Sequence, residues 1–221
     1  MSTTETSRGL FITFEGLDGS GKTTQLTRLA ARLRSRGYEV VETIEPGGTR
    51  TGSMIRNILL DPAHQELSAT AELLLYFAAR AQNVDEMIVP ALKRDAIVLS
   101  DRFTDSTLVY QGYGRGLGVE VVEALDRIAC HGLKPDLTLY LDIDLATARS
   151  RAEARGIDRM DDQPADFYRR VREGYLELSQ REPRFRVIDG RGEIEAIDSE
   201  VWNQVRATLE SSAPAGTPGR L

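Results

Sequence analysis

Residues 16–23 combine glycines, a lysine and a threonine in the spacing G-x-x-x-x-G-K-[ST], with no mismatch. An apolar, β-rich run at residues 10–14 precedes the segment, and a helical stretch at 25–36 follows it. Glycines allow backbone N–H groups to turn toward a phosphate, and the helix N-terminus adds the positive end of its dipole. Lys22 can place its charge on terminal phosphates, and the Thr23 hydroxyl can bind Mg²⁺. Motif and context together favour a nucleotide site over a glycine-rich turn in which Lys22 only caps a helix.

A phosphate loop indicates that a nucleotide binds, but it does not identify the reaction that the protein catalyses. GTPases also need a guanine-reading N/T-K-x-D element, and the other lysines, Lys93 and Lys134, do not stand in such a string. Motor and transport ATPases usually have much longer chains. The remaining candidate classes are a small kinase and a small ATP-dependent synthetase.

Asp101-Arg102-Phe103 directly follows a second apolar run, at residues 96–100. The carboxyl ends of strands in an open α/β sheet face the ligand crevice. An aspartate there can hold Mg²⁺, and an adjacent arginine can clamp a phosphate with two hydrogen bonds. The structural alternative is a helix-capping aspartate beside a surface arginine, and the position after a buried strand favours the functional interpretation.

Three further segments could contribute side chains to the same crevice. Glu45 begins a Glu-Pro-Gly-Gly-Thr turn after another predicted strand, where a plain turn is also a fair interpretation. Tyr76 and Arg80 are four residues apart and share a helix face, so they could stack on a base and bind its edge. On the residues alone, a core tyrosine beside a salt-bridged arginine is the commoner arrangement. Tyr110 and Gln111 offer a phenol and an amide shortly after Arg102.

Arg151, Arg155 and Arg159 are spaced by four, which aligns them on one face if a helix continues past Gly156. Like charges at that spacing repel, so a bound anion would explain the stripe. Neutralisation by neighbouring acidic residues explains it equally well. Residues 149–161 are therefore a candidate lid.

Strand and helix patterns alternate along the chain. The predicted strands are residues 10–14, 38–43, 96–100, 137–141 and 186–188. The predicted helices are residues 25–36, 54–60, 69–93 with a bend at Pro90, 119–129, 145–154, 165–180 and 195–209. This order implies parallel pairing with right-handed crossovers and a three-layer α/β fold with about five strands. We expect one domain over residues 9–210, with flexible segments at 1–8 and 211–221.

Amino-acid composition and hydropathy disfavour nucleic acids and membranes as binding partners. The 221 residues include 28 Lys+Arg and 34 Asp+Glu, giving a net charge of −6, which disfavours a general nucleic-acid binder. No apolar run approaches the roughly 18 residues needed to span a membrane, and residues 1–9 lack the apolar core of a secretory signal. We therefore expect a cytoplasmic protein that acts on small molecules.

Six segments together resemble the thymidylate kinase family over about residues 10–209. They are Phe-Glu-Gly-Leu-Asp-Gly-Ser-Gly-Lys-Thr-Thr at 14–24, Glu-Pro-Gly-Gly-Thr at 45–49, Tyr-Phe-Ala-Ala-Arg-Ala-Gln at 76–82, Asp-Arg-Phe at 101–103, Val-Tyr-Gln-Gly at 109–112 and Pro-Asp-Leu-Thr-Leu-Tyr-Leu-Asp at 135–142. The resemblance implies a P-loop nucleoside-monophosphate kinase fold, a homodimer, and transfer of a phosphoryl group from ATP to dTMP. The products would be dTDP and ADP, for dTTP synthesis. Another nucleoside-monophosphate or deoxynucleoside kinase, or a non-catalytic ATP-binding switch, is the alternative.

The resemblance also implies roles for individual residues. The ATP-binding set is Gly16, Leu17, Asp18, Gly19, Ser20, Gly21, Lys22, Thr23 and Thr24, with Thr23 and Asp101 on Mg²⁺. The dTMP-binding set is Asp18, Glu45, Tyr76, Arg80, Arg102, Ser106, Tyr110 and Gln111. Within it, Tyr76 stacks on thymine, Arg80 reads the thymine edge, Arg102 binds the acceptor phosphate and Tyr110 blocks a ribose 2′-OH. The catalytic set is Lys22, Asp18, Arg102, Arg151 and Arg155.

Three positions distinguish this chain within the family. One group of members carries an arginine in the phosphate loop, where this chain has Gly19; the other, typical of bacteria, carries basic residues in the lid, as here. Ile44 stands where bacterial members commonly have an arginine before Glu-Pro-Gly-Gly-Thr, which leaves the ion partner of Glu45 open. Phe103 stands where tyrosine or histidine is usual.

Overall fold

Five parallel strands form the centre of the computed structural model, which describes residues 9–153, 159–160 and 163–212. The strands are β1 (Phe11–Glu15), β2 (Val40–Ile44), β3 (Ile97–Asp101), β4 (Leu137–Asp142) and β5 (Phe185–Asp189), in the spatial order β2-β3-β1-β4-β5. Strands β1 and β3 are buried along their whole length because both faces of the sheet are covered, which explains their near-continuous apolar sequence. The predicted strand count and parallel pairing are confirmed.

Helices cover both faces of the sheet. They are α1 (Lys22–Ser35), α2 (Arg50–Leu60), α3 (Ala69–Asn83), α4 (Val89–Lys93), α5 (Thr104–Thr107), α6 (Val119–Ala129), α7 (Leu145–Glu153), α8 (Ala165–Arg181) and α9 (Ile194–Ser212). On one face, Leu29 of α1 and Val201 of α9 share a core cluster with Ile12 of β1. On the other face, Phe77 of α3 and Tyr175 of α8 belong to a second cluster. The predicted three-layer α/β fold is therefore confirmed.

Two π-helical segments depart from the predicted elements. Val84–Ile88 separates α3 from α4, so the helix predicted over 69–93 is interrupted before Pro90. Pro90 lies in the first turn of α4, where its missing N–H is tolerated. Leu108–Gly114 continues α5, and neither segment is among the predicted helices.

The carboxyl ends of β1, β2 and β3 lie at one edge of the sheet and are tied together. Phe14 and Ile44 both pair with Asp101 in the strand register. Beyond the strands, Glu45 N donates to Asp101 O at 2.9 Å, and Arg102 N donates to Phe14 O at 2.9 Å. The segments that carry predicted site residues therefore begin next to one another.

Some predicted features lie wholly or partly outside the described residues. They are the terminal segments 1–8 and 213–221 and, within the candidate lid, residues 154–158 and 161, which include Arg155. The predicted domain bounds stay predictions. Within the described residues, no helix has the length and apolar character that crossing a membrane requires.

Candidate active site

The phosphate loop joins β1 to α1. Gly16 has a φ of 143°, and a Cβ there would lie 2.5 Å from the Leu141 carbonyl oxygen, so only glycine fits. Lys22, the first residue of α1, is buried, and its Nζ donates to the carbonyl oxygens of Gly16 at 3.2 Å and Leu17 at 2.9 Å. The lysine charge is therefore held against the loop that the sequence predicts to bind phosphate.

Burial lowers the pKa of Lys22 to about 8, and the positive charge of Arg102 acts in the same direction. Asp18, Asp101 and Glu15 oppose this shift. The ammonium group is thus poorly solvated in the free protein, and contact with a polyanion would stabilise its charged form.

Thr23 and Asp101, the predicted Mg²⁺ ligands, are in direct contact. Thr23 Oγ1 donates to Asp101 Oδ2 at 2.5 Å. Both are hard oxygen donors, and Mg²⁺ is usually held by one or two carboxylates together with substrate phosphates. Among the described residues, no cluster of three His, Cys, Asp or Glu side chains could hold a metal unaided. The donor set therefore fits a Mg²⁺ ion that arrives with a nucleotide.

Arg102 follows β3 in the left-handed region, with a φ of 73°. Its Nη2 donates to Asp18 Oδ1 at 3.1 Å, its Nη1 donates to Ser106 Oγ at 2.9 Å, and its guanidinium carbon lies 5.1 Å from the Tyr110 ring centre. These contacts fix the guanidinium between the phosphate loop and the start of the π-helical segment 108–114.

Glu15 is a fully buried carboxylate that the sequence analysis did not single out. It accepts hydrogen bonds from Phe103 N at 2.8 Å, Ser106 Oγ at 2.5 Å and Tyr175 OH at 2.8 Å. Burial, reinforced by the charge of Asp105, raises the pKa of Glu15 to about 7. Glu15 thus holds the groups that flank Arg102, and a glutamate inside an apolar strand was the signal that could have revealed it.

Glu45 forms an ion pair with Arg80. Glu45 therefore has an ion partner although Ile44 replaces the arginine that is common before it. Arg80 Nε donates to Glu45 Oε2 at 2.5 Å, and Asn83 Nδ2 donates to Glu45 Oε1 at 3.0 Å. Burial raises the pKa of Glu45, and the charge of Arg80 opposes that shift. Arg80 Nη2 donates to Thr107 Oγ1 at 2.9 Å, whereas the buried Nη1 has no partner among the described residues.

A cleft of about 200 Å³, here called the smaller cleft, lies against these residues. All eight residues of the predicted dTMP-binding set line it, namely Asp18, Glu45, Tyr76, Arg80, Arg102, Ser106, Tyr110 and Gln111. Within the described part of the chain, the buried Tyr110 hydroxyl, like Arg80 Nη1, makes no hydrogen bond. The smaller cleft thus contains two buried polar groups suited to a polar ligand.

A larger cleft of about 540 Å³ adjoins the smaller one. Residues 18–24 of the predicted ATP-binding set line it, while Gly16 and Leu17 contribute the carbonyls that hold Lys22. Asp18, Glu45, Arg56 and Arg102 line both clefts. Ligands bound in the two clefts would therefore both lie beside these four side chains.

Arg151 and Arg159 of the predicted arginine stripe do not share a helix face. Helix α7 is described as far as Glu153, and Arg159 lies in a turn with its side chain buried. Arg159 Nε donates to Leu59 O at 2.7 Å, and its Nη2 donates to Glu72 at 2.6 Å, so carboxylate pairing and burial replace the predicted alignment. Arg151 does line the larger cleft, and its Nη1 donates to the carbonyl oxygens of Gly19 at 3.2 Å and Gly190 at 3.1 Å.

Arg56 of α2 is a second site residue that the sequence analysis missed. Its Nη1 donates to Pro46 O at 2.7 Å, and its side chain lines both clefts. A single arginine on a short helix has no local signal that separates it from a solvated surface residue, so only the fold brings it to the site.

Comparison with known proteins identifies the family of this chain. A sequence model described as thymidylate kinase matches residues 14–201. The chain belongs to the thymidylate kinase family. It is 50% identical over 207 residues to the thymidylate kinase of Pelotomaculum thermopropionicum, covering 92% of this chain and 96% of that protein. It is 49% identical over 205 residues to that of Pelobacter propionicus, covering 89% and 94%.

A solved structure agrees with the fold. The crystal structure of thymidylate kinase from Ehrlichia chaffeensis matches with a TM-score of 0.73 and 36% identity, covering 89% of this chain and 98% of that one. Membership of the thymidylate kinase family makes the chain a P-loop nucleotide-binding transferase of nucleotide biosynthesis, with ATP as phosphoryl donor and dTMP as acceptor. The predicted kinase is thereby favoured over a non-catalytic ATP-binding switch.

Proposed function

We propose that the larger cleft holds ATP and the smaller cleft holds dTMP, so that the γ-phosphoryl group passes between them to give dTDP and ADP. The observation that carries this division is the shared lining: Asp18 and Arg102 face both clefts and are hydrogen-bonded to each other. Reacting phosphates from the two ligands would therefore meet beside a fixed carboxylate–guanidinium pair.

The donor side follows from the phosphate loop. Backbone N–H groups of residues 16–24 surround the ATP phosphates, and Lys22 leaves the carbonyls of Gly16 and Leu17 to contact them. Thr23 and Asp101 are the chain's ligands for Mg²⁺. When bound, Mg²⁺ neutralises phosphate charge and aids transfer.

The acceptor side follows from the smaller cleft. Arg80 Nη1 has no hydrogen-bond partner among the described residues and can donate to a base carbonyl, while its Nε and Nη2 are held by Glu45 and Thr107. Tyr76 supplies a ring for the base, and Arg102 supplies the guanidinium for the acceptor phosphate. Arg56, between the clefts, adds a second cation near that phosphate.

The reaction needs positioning more than proton transfer. A dTMP phosphate oxygen is already anionic and can attack without a strong general base, so the protein has to align two polyanions and offset their repulsion. Lys22 and Arg102 provide fixed positive charge, and Glu15 keeps the surroundings of Arg102 in place.

We expect the purified protein to release ADP from MgATP fastest with dTMP as acceptor. A panel of dTMP, AMP, CMP and GMP, each with matched ATP and Mg²⁺, tests this. ADP release without any acceptor provides the background. Preference for AMP, CMP or GMP would contradict the proposed acceptor, and no acceptor-dependent release would favour the non-catalytic switch.

Arg151 is proposed to meet charge that develops on the transferring group, since Gly19 leaves the phosphate loop without an arginine of its own. Its Nη1 already lies at the Gly19 carbonyl. We expect Arg151→Ala to lower kcat about 10²-fold with little change in the KM for dTMP, as for loss of one preorganised donor. Arg149→Ala, on the exposed part of α7, is the matched control and should have a smaller effect. Unchanged kcat in Arg151→Ala would mean that Arg151 is a solvated charge. Arg155 stays a candidate by sequence only.

A homodimer is proposed from exposed apolar side chains on three neighbouring helices. Met54 of α2, Leu74 of α3 and Ile128 of α6 are 62%, 51% and 72% exposed, and α3 packs against both α2 and α6. Apolar surface of this kind is typical of protein interfaces. Sedimentation equilibrium should show a dimer that Ile128→Glu dissociates and that Val187→Glu, at an exposed apolar residue of β5, leaves intact.

A cytoplasmic location stays a prediction.

A further inference from the structure

Glu72 is a buried carboxylate of α3, 1% exposed, that contacts the smaller cleft through Gln111. Its Oε1 accepts hydrogen bonds from Gln111 Nε2 at 2.9 Å and Arg115 Nε at 3.2 Å. Its Oε2 accepts from Arg159 Nη2 at 2.6 Å and Arg115 Nη2 at 3.1 Å. Burial acts to raise the pKa of Glu72, but hydrogen bonds from Arg115, Gln111 and Arg159 leave it below its usual value. The side chain is therefore ionised and can only accept.

An acceptor-only group fixes the direction of the Gln111 amide. The NH₂ group of Gln111 must face Glu72, because two oxygens facing each other would leave both without a proton. Gln111 lines the smaller cleft, and no described residue donates to its Oε1. The amide therefore has its acceptor oxygen available to a ligand, whereas Arg80 Nη1 is an available donor.

We propose that Glu72 sets the base specificity of the acceptor site by holding Gln111 as a hydrogen-bond acceptor. This inference rests on the proposed dTMP site in the smaller cleft. A 4-oxo pyrimidine presents a carbonyl oxygen and an N3–H, which complement the donor Arg80 Nη1 and the acceptor Gln111 Oε1. Cytosine presents an amino group, which places a donor against the donor Arg80 Nη1, and an unprotonated N3, which places an acceptor against the acceptor Gln111 Oε1. Glu72 touches no substrate and is a positioning residue.

The effect of Glu72→Gln follows from counting donors. The new amide has one oxygen and one NH₂ group, while the guanidinium groups of Arg115 and Arg159 supply three of the four original contacts. Charge-assisted hydrogen bonds are about twice as strong as neutral ones, so the oxygen faces the arginines and the NH₂ group faces Gln111. Gln111 then turns its own oxygen to residue 72 and its NH₂ group to the cleft.

The test is the ratio of kcat/KM for dTMP to kcat/KM for dCMP. We expect wild type to prefer dTMP strongly, and Glu72→Gln to lower the ratio about 10- to 100-fold by weakening dTMP and improving dCMP. Arg115→Gln is the matched control, because it removes contacts from Glu72 without changing which group faces Gln111, so it should leave the ratio unchanged. A purely structural role for Glu72 would lower thermal stability in both variants and leave both ratios at the wild-type value.

A second variant covers poor folding of Glu72→Gln, which leaves two guanidinium groups without their carboxylate. Glu72→Gln combined with Arg115→Gln restores the original net charge of the cluster and should show the same fall in the ratio. An unchanged ratio in either folded Glu72 variant would overturn the inference while the proposed acceptor site stands. A wild-type protein that does not prefer dTMP over dCMP would overturn both.

Discussion

Replacing Lys22 with alanine is expected to lower kcat by about 10²- to 10³-fold while the protein stays folded. The Lys22 ammonium is buried at the phosphate loop, 2.9 Å from the Leu17 carbonyl oxygen, and lines the larger cleft. During transfer, negative charge shifts onto the bridging and γ-oxygens of ATP, so this cation stabilises the transition state more than bound ATP. Steady-state kinetics, with circular dichroism to verify folding, measure the effect.

Lys93→Ala is the control for this substitution, because Lys93 is an exposed lysine at the end of α4. It should retain wild-type turnover. Near-normal kcat in folded Lys22→Ala would contradict the assignment of the phosphate loop.

The pH profile tests the same lysine in the free protein. Because its pKa is lowered to about 8, Lys22 is charged below that pH and loses its proton as the pH rises through it. We expect kcat/KM for ATP to fall above about pH 8, since this parameter reports free-enzyme groups. In the ATP complex the phosphates favour the charged form, so kcat should fall only at higher pH. A flat kcat/KM profile through pH 9 would contradict this account.

Replacing Arg102 with alanine is expected to lower kcat/KM for dTMP by about 10²- to 10³-fold. The guanidinium is held by Asp18 and Ser106 at the junction of the two clefts. The φ of 73° is equally unfavourable for alanine and arginine, so backbone strain does not change and the loss belongs to the side chain. Arg102→Lys should restore little activity, because an ammonium cannot make the planar two-point contact of a guanidinium with phosphate.

Arg172→Ala is the matched control. Arg172 makes a two-point ion pair with Asp142, with distances of 2.8 Å, and lines neither the larger nor the smaller cleft. The Arg172→Ala substitution removes a comparable ion pair outside the proposed site, so kcat/KM for dTMP should stay near the wild-type value. Equal effects in Arg102→Ala and Arg172→Ala would indicate a general loss of structure rather than a lost phosphate contact.

The sequence by itself determined the fold class and which segments come together at the candidate site. Local patterns are sufficient for this: buried strands are recognisable as apolar runs, and glycine, lysine and threonine in the spacing of residues 16–23 mark a phosphate loop. Asp101, Arg102 and Glu45 could be assigned to one crevice because they follow strands, and parallel strands end at the same edge of the sheet. Each of these inferences uses only near neighbours and one general rule of topology.

Only the tertiary structure decided which charged groups pair. With 28 basic and 34 acidic side chains, the sequence offers each carboxylate many partners and no means to choose among them. Glu72 and Arg159 are 87 positions apart, and Glu15 and Tyr175 are 160 apart. The helical spacing of Arg159 suggested a shared face with Arg151, but burial requires the guanidinium to find a carboxylate, and packing of α2 and α3 supplies Glu72. Long-range pairing of buried charges is a property of the packed chain, which no local pattern of residue types contains.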